Sequence, residues 1–240
     1  MFSSVVVLLT LLAVSCASPV QQTVLQLPAA DDVPGWLDPR VHGGRLLDVW
    51  AADAVQYTTK TRGEPLNVII SGASDPSVLS DDGLQDYAKS IGFSEECLGL
   101  HMGHIHVANL GDGDGRKPEA FLAREHFLLP RWGTCWESLA GGNHFRAWRQ
   151  NGTAANTGAW FLAVSKEEDS GRHHTIVANG YNLGRDLLVE RAERGGAWKG
   201  MRWRADVAWV GGLLDPGREG INHNIAQDGR VAVLTVVRQE

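Results

Sequence analysis

Cysteine is scarce, with three in 240 residues, and no Cys-x-x-Cys pair exists to build a structural zinc site. Basic charge is in deficit. Lys and Arg total 22 against 28 Asp and Glu, for a formal net charge of -6, which excludes the basic footprint of non-specific nucleic-acid binding. The chain has no His-Glu-x-x-His, no Gly-x-Ser-x-Gly elbow and no Gly-Lys-Ser/Thr phosphate loop. Beyond the first residues no apolar run is long enough for a membrane span. Regular strand–helix–strand alternation and internal repeats are also missing, which leaves α+β as the expected class rather than a doubly wound sheet.

Glycine is abundant, at 28 residues, and favours turns and hairpins over long helices. The run "FSSVVVLLTLLAVSCA" is uncharged, and Ser15-Cys16-Ala17 has the small-x-small pattern of a signal-peptidase site. Residues 1–17 therefore read as a signal peptide, and the mature protein as secreted, extracellular and soluble. Cleavage removes Cys16 and leaves Cys97 and Cys135, expected to pair as a disulfide in an oxidising compartment. Asn151-Gly152-Thr153 is a glycosylation sequon in a loop-like stretch. Residues 18–45 carry Pro19, Pro28, Pro34 and Pro39 and read as an extended lead-in. Residues 46–240 read as one α+β domain, a mixed or antiparallel sheet with two or three packed helices.

Within that domain, Leu46, Trp50, Ala54 and Tyr57 predict a helix over 45–60. "LNVIIS" (66–71) predicts a buried strand. Ser80 caps a helix with Leu84, Tyr87, Ala88 and Ile91 on one face, closed by Gly92. Residues 143–150 and 159–166 form a strand pair around the sequon loop, and 174–178 a further strand. Residues 182–196 predict a helix with Leu183, Leu187, Leu188 and Ala192 inward. Two closing strands follow, the last entered through Asp228-Gly229.

Three histidines stand in "HMGHIH" (101–106). On a strand, His104 and His106 share a face, an arrangement that presents two imidazoles to a divalent transition metal such as zinc. His144 or His174 would supply a third ligand, completing a metal-dependent hydrolase. The bland reading is imidazoles hydrogen-bonded within a polar layer. "GDGDG" (111–115) reads as a glycine-rich turn rather than a calcium loop, because Arg116 and Lys117 occupy positions where a calcium loop needs other groups. The pairs Asp81/Asp82, Glu95/Glu96 and Glu167/Glu168 read as solvated charge. Arg146 shares a strand face with His144 and Trp148, a surface suited to an anionic or sugar ligand. Trp198 and Trp203, interleaved with basic residues, are a second candidate for carbohydrate binding.

Four segments in order, "PLNVIISG", "NHFRAWRQ", "HHTIVANGYNLGRDLLV" and "DGRVAVLTV", resemble the domain at the C-terminus of LssY-type membrane phosphatases. That domain also occurs alone in secreted fungal proteins. The resemblance spans roughly residues 65–238 and falls on His144, Arg146, Trp148, His173, His174, Arg185, Asp186, Asp228 and Gly229. It implies a fold and a residue set but no reaction, since the phosphatase chemistry belongs to a separate membrane part. Gly184 stands where the family tends to be acidic, and the histidine run at 101–106 has no family counterpart. The leading expectation is a ligand-binding or interaction module using His144, Arg146, Trp148, His174, Arg185 and Asp186. The metal-dependent hydrolase is the alternative.

Overall fold

The computed structural model describes residue 27 and residues 32–54, 62–99, 104–130 and 132–240. The signal segment, the first part of the lead-in apart from residue 27, and His101 lie outside the described residues.

The described chain forms β1 (Val49–Trp50), α1 (Ala51–Ala54), β2 (Leu66–Ile70), α2 (Asp81–Ser90), β3 (Phe93–Glu95), β4 (His106–Asn109) and β5 (Arg116–Pro118). It continues through β6 (Phe121–Glu125), α3 (Gly133–Ala140), β7 (Gly142–Arg149), β8 (Trp160–Glu167) and α4 (Gly180–Arg194). Strands β9 (Gly196–Trp198), β10 (Met201–Val210) and β11 (Val231–Gln239) complete it. Among the described residues, eight strands form one sheet in the order β3-β6-β7-β8-β2-β11-β10-β9, and β1-β4-β5 form a second, three-stranded sheet. Only the β2–β11 pairing is parallel, so the large sheet is mixed and the α+β expectation is met.

Alternation along the central strands decides what each face of the large sheet buries. Val68, Ile70, Phe145, Ala147, Leu162, Val164 and Leu234 point to one face, where α2 and α4 add Leu84, Tyr87, Leu188 and Ala192. The opposite face is divided. Its apolar half joins Ile69, Trp148, Phe161, Ala163 and Val233 to Trp36 and Leu46 of the preceding segment and to Ala108 and Leu110. Its other half carries Arg124, His144, Arg146, Ser165 and Glu167, all buried.

Helix α2 starts as expected, with the Ser80 hydroxyl accepting the Gly83 N–H at 3.1 Å. The described part of the expected 45–60 helix, up to Ala54, is mostly not helical, and Tyr57 lies outside the described residues. Leu47 bridges Pro65 and β1 pairs with β4, so the apolar spacing there serves strand alternation, with only one helical turn in α1. The expected strand at 174–178 is reduced to a bridge from Ile176 to Glu167. His173 and His174 both have left-handed backbone, which breaks an extended run. Helix α4 points Tyr181, Arg185, Leu188 and Ala192 inward but exposes Leu183. Cys97 and Cys135 form the expected disulfide, with S–S 2.10 Å. Asp112 of the glycine-rich turn is buried and held by the Lys117 ammonium at 2.5 Å. No helix among the described residues is long and apolar enough to cross a membrane.

Candidate metal centre on the charged face of the sheet

The small sheet carries acidic and imidazole groups onto the charged half of the large one. Asp48 and Glu64 are clasped by their backbones: the Asp48 N–H donates to the Glu64 carbonyl at 3.1 Å. The Glu64 N–H in turn donates to Asp48 Oδ1 at 2.8 Å. His106 is fixed opposite Trp50 by the β1–β4 register, and its own N–H donates to Glu119 Oε2 at 2.5 Å. Asp48 Oδ2 then lies 2.8 Å from His106 Nδ1. Among the described residues, Asp48, Glu64 and His106 form a group whose ligand atoms all lie within 4.8 Å of one another, and all three are buried.

The spacing suits a cation. Two donors bound to one zinc at about 2.0–2.2 Å sit roughly 3–3.5 Å apart, so closing the triad around an ion needs only rotamer-scale movement. The 2.8 Å Asp48–His106 separation fits two donors on one ion. It fits equally the hydrogen bond that fixes an imidazole tautomer behind a metal. Either way Asp48 and His106 act as one unit.

Around the triad runs a connected chain of charge. Arg146 donates to Glu64 at 3.1 Å and toward His144 Nε2 at 3.4 Å. A ring nitrogen that accepts from Arg146 leaves the proton on Nδ1, which faces Glu167 Oε1 at 3.4 Å. Glu167 is in turn bonded to Arg124 at 2.7 Å and faces His174 Nδ1 at 3.5 Å. Arg124 also reaches Glu137 of α3 at 3.1 Å and Glu96 at 3.3 Å. Glu64, Glu96, Glu119, Glu137 and Glu167 thus share two guanidiniums, Arg124 and Arg146. Two buried polar atoms beside the triad have no hydrogen-bond partner, Glu119 Oε1 and Arg146 Nε, which face each other at 3.9 Å.

Burial sets the protonation pattern. It pushes the Glu64 carboxyl up to about 7 despite Arg146, and Glu137 up to about 7 despite Arg124. It drives His144 down to about 3, so that imidazole is neutral at physiological pH. Burial alone would lift Glu167 as well. His144, the nearby His174 ring and Arg124 outweigh it and hold that carboxyl below the usual range. The Glu167 carboxylate raises His174. The face protonates some acids and keeps others charged, the expected response to carboxylates that outnumber fixed cations in low dielectric.

No family model, curated protein or solved structure matches this chain. The site therefore rests on its own chemistry.

Several sequence expectations need correction. His106 joins the triad, but His104 is exposed and stacks on the Trp50 ring with centroids 4.8 Å apart, because β4 begins only at His106. His144 and His174 meet at Glu167 rather than at His106. The expected binding surface of His144, Arg146, Trp148, His174, Arg185 and Asp186 is not a surface. His144 and Trp148 are fully buried, and Arg185 and Asp186 belong to α4 on the opposite side of the sheet. There Arg185 donates to Asp228 at 2.6 Å and Asp186 at 2.8 Å. Its guanidinium also lies over Trp209, 4.9 Å from the ring centroid. Trp203 is buried and donates to Ser77 Oγ at 3.1 Å, while Trp198 packs on the same core. A tryptophan pair for sugar stacking does not form.

Asp48, Glu64, Glu119, Arg124 and Glu137 escaped the sequence reading. Glu167 and Glu96 were each read as half of a solvated acidic pair. One signal existed, an aspartate inside the apolar run "LLDVW", which strand alternation turns inward.

Proposed function

We propose that this protein is a secreted, glycosylated metal-dependent hydrolase of the LssY C-terminal type, holding a divalent transition metal such as zinc at Asp48, Glu64 and His106. The observation that carries the reading is the convergence of two carboxylates and an imidazole inside a buried face already rich in unneutralised acid. The Glu119 Oε1 beside it, buried without a hydrogen bond, supports the reading. A divalent ion held by Asp48, Glu64 and His106 would add positive charge to this acidic face and would supply Lewis acidity for hydrolysis. Arg146, adjacent to Glu64, is placed to stabilise negative charge developing on a substrate oxygen. The family reading is supported by the contact of two resembling segments, where Arg185 grips Asp228. Exposure of Asn151 supports the glycan.

Elemental analysis of untagged secreted protein tests the metal. About one equivalent per chain is expected, reduced at least tenfold in Asp48→Asn and in His106→Ala but retained in His104→Ala. A stoichiometry near zero across zinc, copper, iron, manganese and calcium, before and after zinc dialysis, sinks the site. Loaded protein is then offered carboxyl-ester, phosphoester and peptide substrates. Metal binding with no turnover on any of them removes the hydrolase reading and leaves a metal-binding protein.

A further inference from the structure

The turn that follows Gly220 is fastened to the chain on either side of the candidate metal centre. Gly63, the residue before Glu64, is clasped twice. Its N–H donates to the Gly220 carbonyl at 3.0 Å, and its carbonyl accepts the Asn222 N–H at 2.9 Å. Ile221 is buried with Ile176 and Tyr181, and Leu47 and Ile225 pack against that cluster. Leu47 precedes Asp48, so the turn is seated against the chain neighbours of two triad residues. The Tyr181 hydroxyl adds a donor to the Asn222 carbonyl at 3.5 Å.

At its tip His223 and Asn224 have φ values of 57° and 56°. Left-handed backbone is uncommon outside glycine and persists where surrounding contacts impose it, often at functional sites. His223 keeps an exposed face, and among the described residues its ring makes no hydrogen bond. Burial of the rest of the ring lowers its pKa; Glu167 opposes that fall and His106 adds to it. The ring therefore lies within charge range of the third triad residue. It is held in the neutral form, the one that ligates metals. The other imidazoles of this face are engaged. His104 stacks on Trp50, His144 faces Arg146 and Glu167, and His174 faces Glu167.

His106 has one ring nitrogen to offer an ion. Its Nδ1 lies 2.8 Å from Asp48 Oδ2, the carboxylate contact that fixes the tautomer of a ligating histidine from behind. Only Nε2 remains. With Asp48 engaged in that way, Glu64 and His106 supply two ligands, and a catalytic zinc takes three from the protein. We propose that His223 is the third, so that His106 Nε2, Glu64 and His223 hold the ion while Asp48 orients His106. The inference rests on the metal reading above and sharpens which atoms bind. Two imidazoles and one carboxylate leave one position open for water. Turning the exposed His223 ring onto an ion breaks no hydrogen bond, and the Gly63 clasp keeps the turn in place as the side chain moves.

Zinc titration of the full chain against a competing chelator tests the proposal. His223→Ala is expected to weaken zinc binding at least about tenfold, and His104→Ala to leave it unchanged. The His223 ring is exposed and unbonded, so metal-free His223→Ala should melt with the wild type, which separates a lost ligand from a lost fold. Nitrogen NMR of the histidine rings in wild-type protein gives an independent reading. Zinc is expected to shift the ring nitrogens of His223 and Nε2 of His106, and to leave those of His104 in place. Zinc affinity in His223→Ala within about twofold of the wild type, or His223 resonances that ignore zinc, overturns the assignment and leaves the triad standing. Wild-type protein that takes up no zinc overturns the triad, and the role of His223 with it.

Discussion

The Arg146 guanidinium touches Glu64, faces Glu119 and approaches the His144 ring, so one side chain offsets the charge of the acids in and beside the candidate triad. Removing it leaves buried carboxylates without their counter-ion, a loss of about 3–5 kcal/mol for a broken buried pair. Arg146→Met is therefore expected to melt well below the wild type when metal-free. Zinc should recover part of that loss, because a divalent ion replaces the missing charge. Recovery should vanish in Arg146→Met/His106→Ala, and differential scanning calorimetry with and without zinc distinguishes the cases. Recovery that persists without His106 places the ion elsewhere. At this scale the sequence showed a good deal about His106 and very little about its partners. The i, i+2 histidine spacing pointed to a strand at His106 but wrongly made His104 its partner, and no spacing rule connects Asp48, Glu64 and His106, whose proximity depends on pairing between β1, β4 and the Leu47–Pro65 bridge. Glu167 and Glu168 show the converse. Adjacent acids look alike in sequence, and alternation on β8 buries the first while leaving the second at the strand end.

Among the elements, α3 is tied down least by its own sequence. It has no side-chain cap, exposes its apolar stripe and buries Glu137 against Arg124. The Cys97–Cys135 bond supplies a covalent tether that its packing does not. Closing a loop with sequence separation 38 contributes about 4 kcal/mol in the chain-entropy description. The double variant Cys97→Ser/Cys135→Ser is expected to lose close to that amount in chemical denaturation, with amide exchange in α3 rising more than in α4. A loss under about 1 kcal/mol would show that α3 is held by packing alone. Elements with complete local signals were readable in advance. Helix α2 has its Ser80 cap and apolar face, and β7 and β8 flank a turn-rich loop. The start of the 45–60 segment misled because Leu46 and Trp50 fit a helical period while tertiary pairing draws Leu47, Val49 and Trp50 into strand contacts. Strands β3, β5 and β6 are short or carry charge at buried positions, as Arg124 and Glu125 do, so hydrophobic alternation could not announce them.

For the whole molecule, the charged face makes stability depend on pH in two opposed directions. His144, driven from 6.5 down to about 3 by burial, is neutral when folded and takes up a proton on unfolding below 6.5. Its contribution is complete above 6.5 and is lost as pH falls toward about 3. Glu167, held below its ordinary range although burial opposes it, acts in the same sense. Glu137 acts in the other: burial lifts it from 4.5 to about 7 against Arg124, while Glu167 adds to the rise and His174 opposes it. The folded state binds that proton more tightly, so the contribution is complete below 4.5 and is lost as pH rises through about 7. The two windows overlap between 4.5 and 6.5, where the His144 and Glu137 contributions oppose each other, so metal-free protein is expected to melt highest in that mildly acidic range. Glu137→Gln keeps the shape and removes the ionisation, so it should reduce the fall toward about 7, let stability keep rising with pH up to 6.5 and leave the acid limb in place. His144→Gln should flatten the acid limb instead. Thermal melting of the three proteins in chelator across this range checks both assignments separately. An alkaline slope unchanged in Glu137→Gln would move that proton to another acid of the face, and an acid slope unchanged in His144→Gln would leave Glu167 to carry it.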